Sequence, residues 1–285
     1  MPLFGAHMSI AGGVHNALLD AHAHGCATVQ IFTKNSNQWQ ARALSEEDVG
    51  LFRRTRSETG LRFPTAHASY LINLASPDEA LYRRSIEAFV VELQRAEQLG
   101  LHYLVVHPGA HVGSGEEAGL TRVAKALNDI HTRCAGFKVK VLLETTAGQG
   151  SCLGHRFEQL AQILEQVAER RRLGVCLDTC HVFAAGYRLW PKEDYQATMG
   201  EFHRLIGLPF LRLFHINDSM KPFNSRVDRH AHIGRGELGL EPFRLLVNDS
   251  RFRDRPMILE TAKTEGAEKD MDAVNLATLH ALLEK

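Results

Sequence analysis

Apolar runs rich in Val, Ile, Leu and Phe recur at residues 63–67, 103–107, 139–144, 175–178, 211–215 and 257–260, and each stops on a His, Asp or Glu. Runs of this kind, separated by long amphipathic stretches, read as strands of a parallel sheet buried on both faces. Two more, at 3–10 and 27–33, bring the total to eight. The spacing of apolar positions predicts helices over 14–24, 45–59, 77–99, 116–135, 155–172, 191–206, 241–248 and 268–283. Start signals support several of them: Ser45 ahead of Glu47 and Asp48, Ser76 before Pro77, and Pro191 followed by Glu193 and Asp194. Gly60, Gly100, Gly136 and Gly207 stand where helices should stop. Eight alternating units without a linker or composition shift predict a single-domain (β/α)8 TIM barrel over residues 1–285. Such barrels build their sites from strand C-terminal ends, so the six terminal polar residues are predicted to face one site. An open doubly wound sheet would bring the same residues to one crevice.

Composition narrows the chemistry. Lys plus Arg equals Asp plus Glu at 33 each, so no global field favours nucleic acid, a membrane or an acidic ligand, and anion recognition must be local. Five cysteines with no Cys-x-x-Cys pair predict neither a disulfide framework nor a thiolate zinc site, and point to a reducing compartment. The N-terminus shows no basic region leading into a long apolar stretch, and no run reaches bilayer-spanning length. The expectation is a soluble, cytoplasmic protein.

The strand ends supply His67, His107, Glu144, Asp178, His215 and Glu260. Three further candidates lie in loops: His181, three residues after Asp178, and the pair Asp228 and His230, which project from the same side if that segment is extended. One metal needs three or four protein ligands, and imidazole with carboxylate suits zinc or manganese in an open site. Nine candidates are too many for one ion and suit two or three, with a carboxylate bridging a pair as in metal-dependent phosphoesterases. A lone strand-end His is more often a hydrogen-bonded core residue, but burying several carboxylates together is costly unless cations compensate. His7 and His111 are expected at the surface or behind the ligands. The glycine-bearing segment 148–154 reads equally as a phosphate contact or a flexible connection.

Several motifs carry a family likeness. His67-Ala-Ser-Tyr-Leu-Ile-Asn-Leu74, Leu143-Glu-Thr-Thr-Ala-Gly-Gln-Gly150, Cys176-Leu-Asp-Thr-Cys-His181 and His215-Ile-Asn-Asp-Ser219 with Asp228-Arg-His230 resemble the endonuclease IV family of zinc-dependent apurinic/apyrimidinic endonucleases. The likeness runs from Gly5 to Thr261. It implies a trinuclear zinc centre, with Mn2+ as an alternative ion, that hydrolyses the phosphodiester 5′ to an abasic site in duplex DNA and also trims blocked 3′ ends. It implies His67, His107 and Glu144 on one ion, Glu144 bridging to a second held by Asp178, His215 and Glu260, and His181, Asp228 and His230 on the third. Glu144, Asp178 and Glu260 take the catalytic roles, and a hydroxide between the first two ions is the implied nucleophile.

The same likeness assigns DNA contacts to Lys34, Asn37, Tyr70, Leu71 and Arg229, with Tyr70 and Leu71 at wedge positions. Lys34, Arg42, Lys221, Arg226 and Arg229 are the expected phosphate track. A monomer without an obligate protein partner is implied. Three departures stand out: Asn37 replaces the usual Arg, Arg188 replaces an acidic residue, and the 221–224 segment lacks a common glycine. Two other readings compete: a two-metal sugar isomerase or epimerase using Glu144, Asp178, His215 and Glu260 alone, and a damaged-DNA binding protein with structural metals. The first leaves His181, Asp228 and His230 without a role, and the open carboxylate-rich set argues against the second.

Overall fold

The computed structural model describes residues 2–266 and 270–284. Among these, eight parallel strands close a barrel: β1 (Leu3–His7), β2 (Thr28–Phe32), β3 (Thr65–His67), β4 (Tyr103–Val106), β5 (Lys140–Glu144), β6 (Leu173–Asp178), β7 (Leu211–His215) and β10 (Pro256–Leu259), which returns to pair with β1. A two-stranded antiparallel ladder, β8 (Asp218–Ser219) with β9 (His230–Ala231), stands outside the barrel order. The barrel predicted from the apolar runs is the barrel observed.

Eight helices follow the predicted pattern: α1 (Asn16–Ala23), α2 (Glu46–Thr59), α3 (Glu79–Leu99), α4 (Glu116–Arg133), α5 (Phe157–Gln166), α7 (Lys192–Leu205), α8 (Glu241–Val247) and α9 (Met271–Ala281). α2 opens on the expected Ser45, whose hydroxyl accepts from Asp48 N while Asp48 reaches back. α3 opens two residues later than predicted, because Asp78 rather than Ser76 caps Leu81 N. The stretch at 155–172 is helical only to Gln166. Beyond it Ala168 N turns to Asn128 Oδ1, and the buried Arg172 donates to the carbonyls of His131 and Cys134, so tertiary bonds draw the chain off the helix axis. The predicted start of the last helix at 268 lies outside the described residues. The first strand ends at His7 instead of residue 10. No helix among the described residues is long and apolar enough to cross a membrane.

Two cores hold the barrel. Between strands and helices lie Phe52, Phe89, Phe157, Phe183, Phe202, Phe214, Phe243 and Phe252, all fully buried and each contributing about 2–3 kcal/mol of transfer free energy. Inside the barrel, Tyr103, Val105, Leu142, Cys176, Leu213 and Ile258 form a separate plug. Strand side chains alternate faces, so residues two further along point inward one layer above the plug. Those residues are His107, Glu144, Asp178, His215 and Glu260. Gly5 is required on β1, since a Cβ there would meet Thr28 O at 2.2 Å.

Candidate metal centre

Glu144 is the hub of the layer above the plug. It is fully buried, with Oε2 3.0 Å from His67 Nε2 and 3.2 Å from His107 Nε2, and Oε1 2.9 Å from His215 Nδ1 and 3.4 Å from His181 Nδ1. Glu260 Oε2 lies 3.1 Å from His215 Nδ1. Asp228 joins His181 Nε2 at 3.1 Å and His230 Nε2 at 3.4 Å, and His230 Nε2 also faces Asp178 Oδ2 at 3.6 Å. All nine candidate ligands named from the sequence therefore meet in one cluster.

The elements place them differently. Six stand at strand ends, but His181 lies on α6 (Thr179–Ala185), a helix the apolar pattern did not predict. Asp178 ends β6 and caps this helix, its Oδ1 accepting His181 N at 2.8 Å. Asp228 and His230 ride the long loop after β7. That loop is organised by Asp218, whose buried carboxylate accepts from the backbone amides of Ser219, Gly234, Gly236 and Leu238. Gln149 Oε1 accepts Asp228 N at 3.2 Å, so the 148–154 segment acts as a clasp. Ser151 and Gly109 tie the same segment to the loop after β4.

Ring orientation is fixed from behind. His67 Nδ1 meets Ala68 O at 2.7 Å and His181 Nδ1 meets Thr145 O at 2.8 Å, turning each Nε2 inward. Asn217 Nδ2 donates to Asp178 Oδ2 at 2.7 Å, while its Oδ1 accepts Glu260 N at 2.8 Å. His7, on β1, lies behind Glu260 at 3.9 Å, and burial holds its pKa below the ordinary value.

The charges of the cluster are mutually dependent. Burial opposes ionisation of Glu144, yet His215 and His107 outweigh it and hold the carboxyl well below its usual range. Burial likewise opposes charge on His181, but Asp178, Asp228 and Glu144 lift it well above the ordinary histidine value. Burial opposes charge on His215 too, but Cys176, Glu260 and Glu144 around it lift it well above the ordinary value. Burial works against the Asp228 carboxylate, but His181 brings it down to about 2. Four carboxylates and five imidazoles thus meet in one cluster, with Glu144, Asp178, His67, His181 and His215 buried and Asp228 and His107 open to solvent.

Divalent cations fit this arrangement. Three donor sets have ligand atoms within 4.8 Å of one another: His67, His107 and Glu144; Glu144, Asp178, His215 and Glu260; and Asp178, His181 and His230. His181 Nε2 and His230 Nε2 are buried, make no well-aligned hydrogen bond, and face only the carboxylates of Asp178 and Asp228, as nitrogens gathered around a cation would. Cys176 and Cys180 reach similar distances from some of these donors, but burial pushes both thiols up to about 12, which disfavours them as ligands.

Around the cluster, Tyr70 projects into solvent with 63% of its surface exposed, edge-on to Phe32, and Leu71 beside it is half-buried. Asn37, Arg229 and Lys221 are exposed, Arg42 is exposed and paired with Asp48, and Arg226 is half-buried. Lys34 departs from expectation. Its ammonium is buried against Glu92 at 3.5 Å and donates to Gln38 O, so it braces the loop after β2 and is no free surface cation. Glu92 also accepts Ser69 N, coupling that loop to the one bearing Tyr70. Trp39, at the far end of this loop, packs under Arg84 at 4.3 Å.

Sequence reasoning missed Gln30, Asn217 and Asp218. Each is a fully buried polar residue, and Gln30 interrupts an apolar run at an inward-facing position, which is the signal that marks it.

Fold and site together define a metal-binding (β/α)8 barrel. The sequence model of the xylose isomerase-like TIM barrel family matches residues 18–277. "Probable endonuclease 4" of Chloroflexus aurantiacus is 51% identical over 284 residues, spanning 100% of this chain and 99% of that protein. The "Probable endonuclease 4" of Geobacter sulfurreducens is 51% identical over 281 residues, 99% of this chain and 94% of the relative. The crystal structure of endonuclease IV from Thermus thermophilus superposes with a TM-score of 0.84 at 39% identity, covering 99% of this chain and 98% of the other. The chain belongs to the endonuclease IV family. A D-tagatose 3-epimerase-like protein at TM-score 0.73 and 20% identity shares the fold.

Proposed function

We propose that this protein is a DNA-repair endonuclease that hydrolyses the phosphodiester 5′ to an abasic site in duplex DNA, leaving a 3′-hydroxyl and a 5′-deoxyribose phosphate. Trimming of blocked 3′ ends belongs to the same reading. The observation that carries it is the convergence of His181, Asp228 and His230 on a cluster already complete enough for two ions. A two-metal sugar isomerase or epimerase on this fold has no use for that third set.

In this reading His67, His107 and Glu144 would hold one zinc ion, Glu144 together with Asp178, His215 and Glu260 a second, and His181, Asp228 and His230 a third, with Mn2+ an alternative ion. The ions supply Lewis acidity that acidifies water and neutralises charge on the phosphate. The protein's part is placement. Glu144 fixes the spacing of two sites with one carboxylate, and the ring carbonyl contacts of His67 and His181 hold their tautomers. Tyr70 and Leu71 stand where a wedge into the base stack would open the damaged nucleotide to the cluster. Asn37, Arg42, Lys221, Arg226 and Arg229 supply local backbone contacts on a chain of zero net charge. A cytoplasmic, single-domain monomer completes the proposal.

The test is incubation of the metal-replete protein with a duplex carrying one tetrahydrofuran abasic analogue, with and without chelator, beside an undamaged duplex. Chelator-sensitive incision of the damaged strand alone is expected. Absence of cleavage by metal-replete protein refutes the proposal.

A further inference from the structure

Gln30 stands on β2, fully buried, and reaches across the barrel mouth to two strands distant in sequence. Its Oε1 lies 2.8 Å from His215 Nε2, its Nε2 lies 2.6 Å from Glu260 Oε1, and the same Nε2 is 3.1 Å from His7 Nδ1. The chemistry of the partners settles which end is which. An ionised carboxylate only accepts, so the amide NH2 must face Glu260 and the amide oxygen must face His215. His215 Nε2 therefore carries a proton. Its other nitrogen, Nδ1, is left facing Glu144 Oε1 at 2.9 Å and Glu260 Oε2 at 3.1 Å. The remaining amide hydrogen points to His7 Nδ1, which closes the network on β1.

We infer that Gln30 is a positioning residue for the donor set of Glu144, Asp178, His215 and Glu260: one amide selects Nδ1 of His215 and Oε2 of Glu260 as the inward-facing ligand atoms. A single side chain thereby orients two ligands from β7 and the end of β10. In register Gln30 stands opposite His7 on β1 and Thr65 on β3. Replacing the amide by an apolar group of equal length leaves His215 free to turn and Glu260 free to swing. Partners of this kind behind metal ligands govern affinity by about 10–100-fold.

The metal-selecting half of this inference rests on the proposed metal centre, whereas the hydrogen bond to His215 does not, and the experiment separates them. Q30M keeps the side-chain length and removes both polar contacts. In metal-free protein labelled with 15N-histidine, the wild type is expected to show a slowly exchanging proton on His215 Nε2, and Q30M to lose it. In zinc titrations Q30M is expected to weaken one site by about 10–100-fold while the others keep wild-type affinity. A protected Nε2 proton that survives in Q30M, or a Q30M titration that matches the wild type, overturns the inference. Wild-type protein that binds no zinc but shows the protected proton would refute the metal centre and leave the Gln30 contact standing. Should Q30M fail to fold, Q30E serves instead: it keeps an acceptor for His215 and loses the donor to Glu260, so it should retain the proton and lose the site.

Discussion

The cluster is built from two kinds of support. His67, His107, Glu144, Asp178, His215 and Glu260 stand at barrel strand ends, where the ladder register and a plug of Val105, Leu142, Cys176, Leu213 and Ile258 fix them from below. His181, Asp228 and His230 come from α6 and the loop after β7, which no barrel strand registers. Their substitute for barrel register is the short β8–β9 ladder, which sets His230 opposite Ser219, and a web of side-chain bonds to backbone: Asp178 to His181 N, Gln149 to Asp228 N, and Asp218 to four amides of its loop. Sheet register distributes the burden over many bonds. The loop concentrates it in a few carboxylates and amides, so the two halves should fail in different ways.

The largest expected effect lies in the strand-borne half. Glu144→Gln keeps shape and removes the charge that His67, His107, His181 and His215 share. Incision of the abasic duplex should fall by about 10³-fold or more, and zinc titration should show two sites weakened together because the bridge serves both. The barrel itself should keep its hydrogen-exchange protection, since no backbone bond depends on this carboxylate. Near-normal cleavage by the variant would refute the bridging role.

The loop-borne half should respond to a residue that is no ligand at all. Asp218→Ala strands four backbone donors and should cost about 3 kcal/mol. Hydrogen exchange should rise in residues 228–238 with the barrel strands unchanged, and only the zinc site of His181, Asp228 and His230 should weaken. If all sites weaken alike, the division into two independently supported halves is wrong.

How much of this was legible in the sequence follows the same division. The strand-borne members of the cluster announced themselves, because a parallel strand buried on both faces tolerates a charged residue only where it ends. The loop ligands were visible as residue types at chelating spacing, but not their support. α6 is too short for a periodic signal, and Asp218 resembles any loop aspartate until the chain folds back over it. Lys34 was misread for a related reason. Its partner Glu92 lies on α3, and a basic residue after a strand looks solvent-facing until that helix packs against the loop. Gln30 was passed over inside an apolar run, although its inward parity marked it.

The smallest effect tests the outer edge of the loop. Arg188 and the 221–224 segment meet in space: the Arg188 guanidinium lies 4.4 Å from the Phe223 ring, and Phe223 packs against Phe183 of α6. Beside them Asn224 N and Arg226 N donate to the carbonyls of Phe183 and Ala184, and both residues hold positive φ. A glycine in this segment would relieve such backbone conformations; without one, the two backbone bonds to α6 and the guanidinium over Phe223 are the contacts that hold the chain there. Arg188 is more than half exposed, so Arg188→Ala should cost only about 0.5–1 kcal/mol. Because α6 carries His181 and the segment leads into Asp228, the loss should appear as faster hydrogen exchange at 221–228 and a several-fold weaker third zinc site, with the sites of Glu144 unmoved. Unchanged exchange at 221–228 in the variant would mean that the loop is held by Asp218 and Gln149 alone, and that the arginine merely covers an aromatic face.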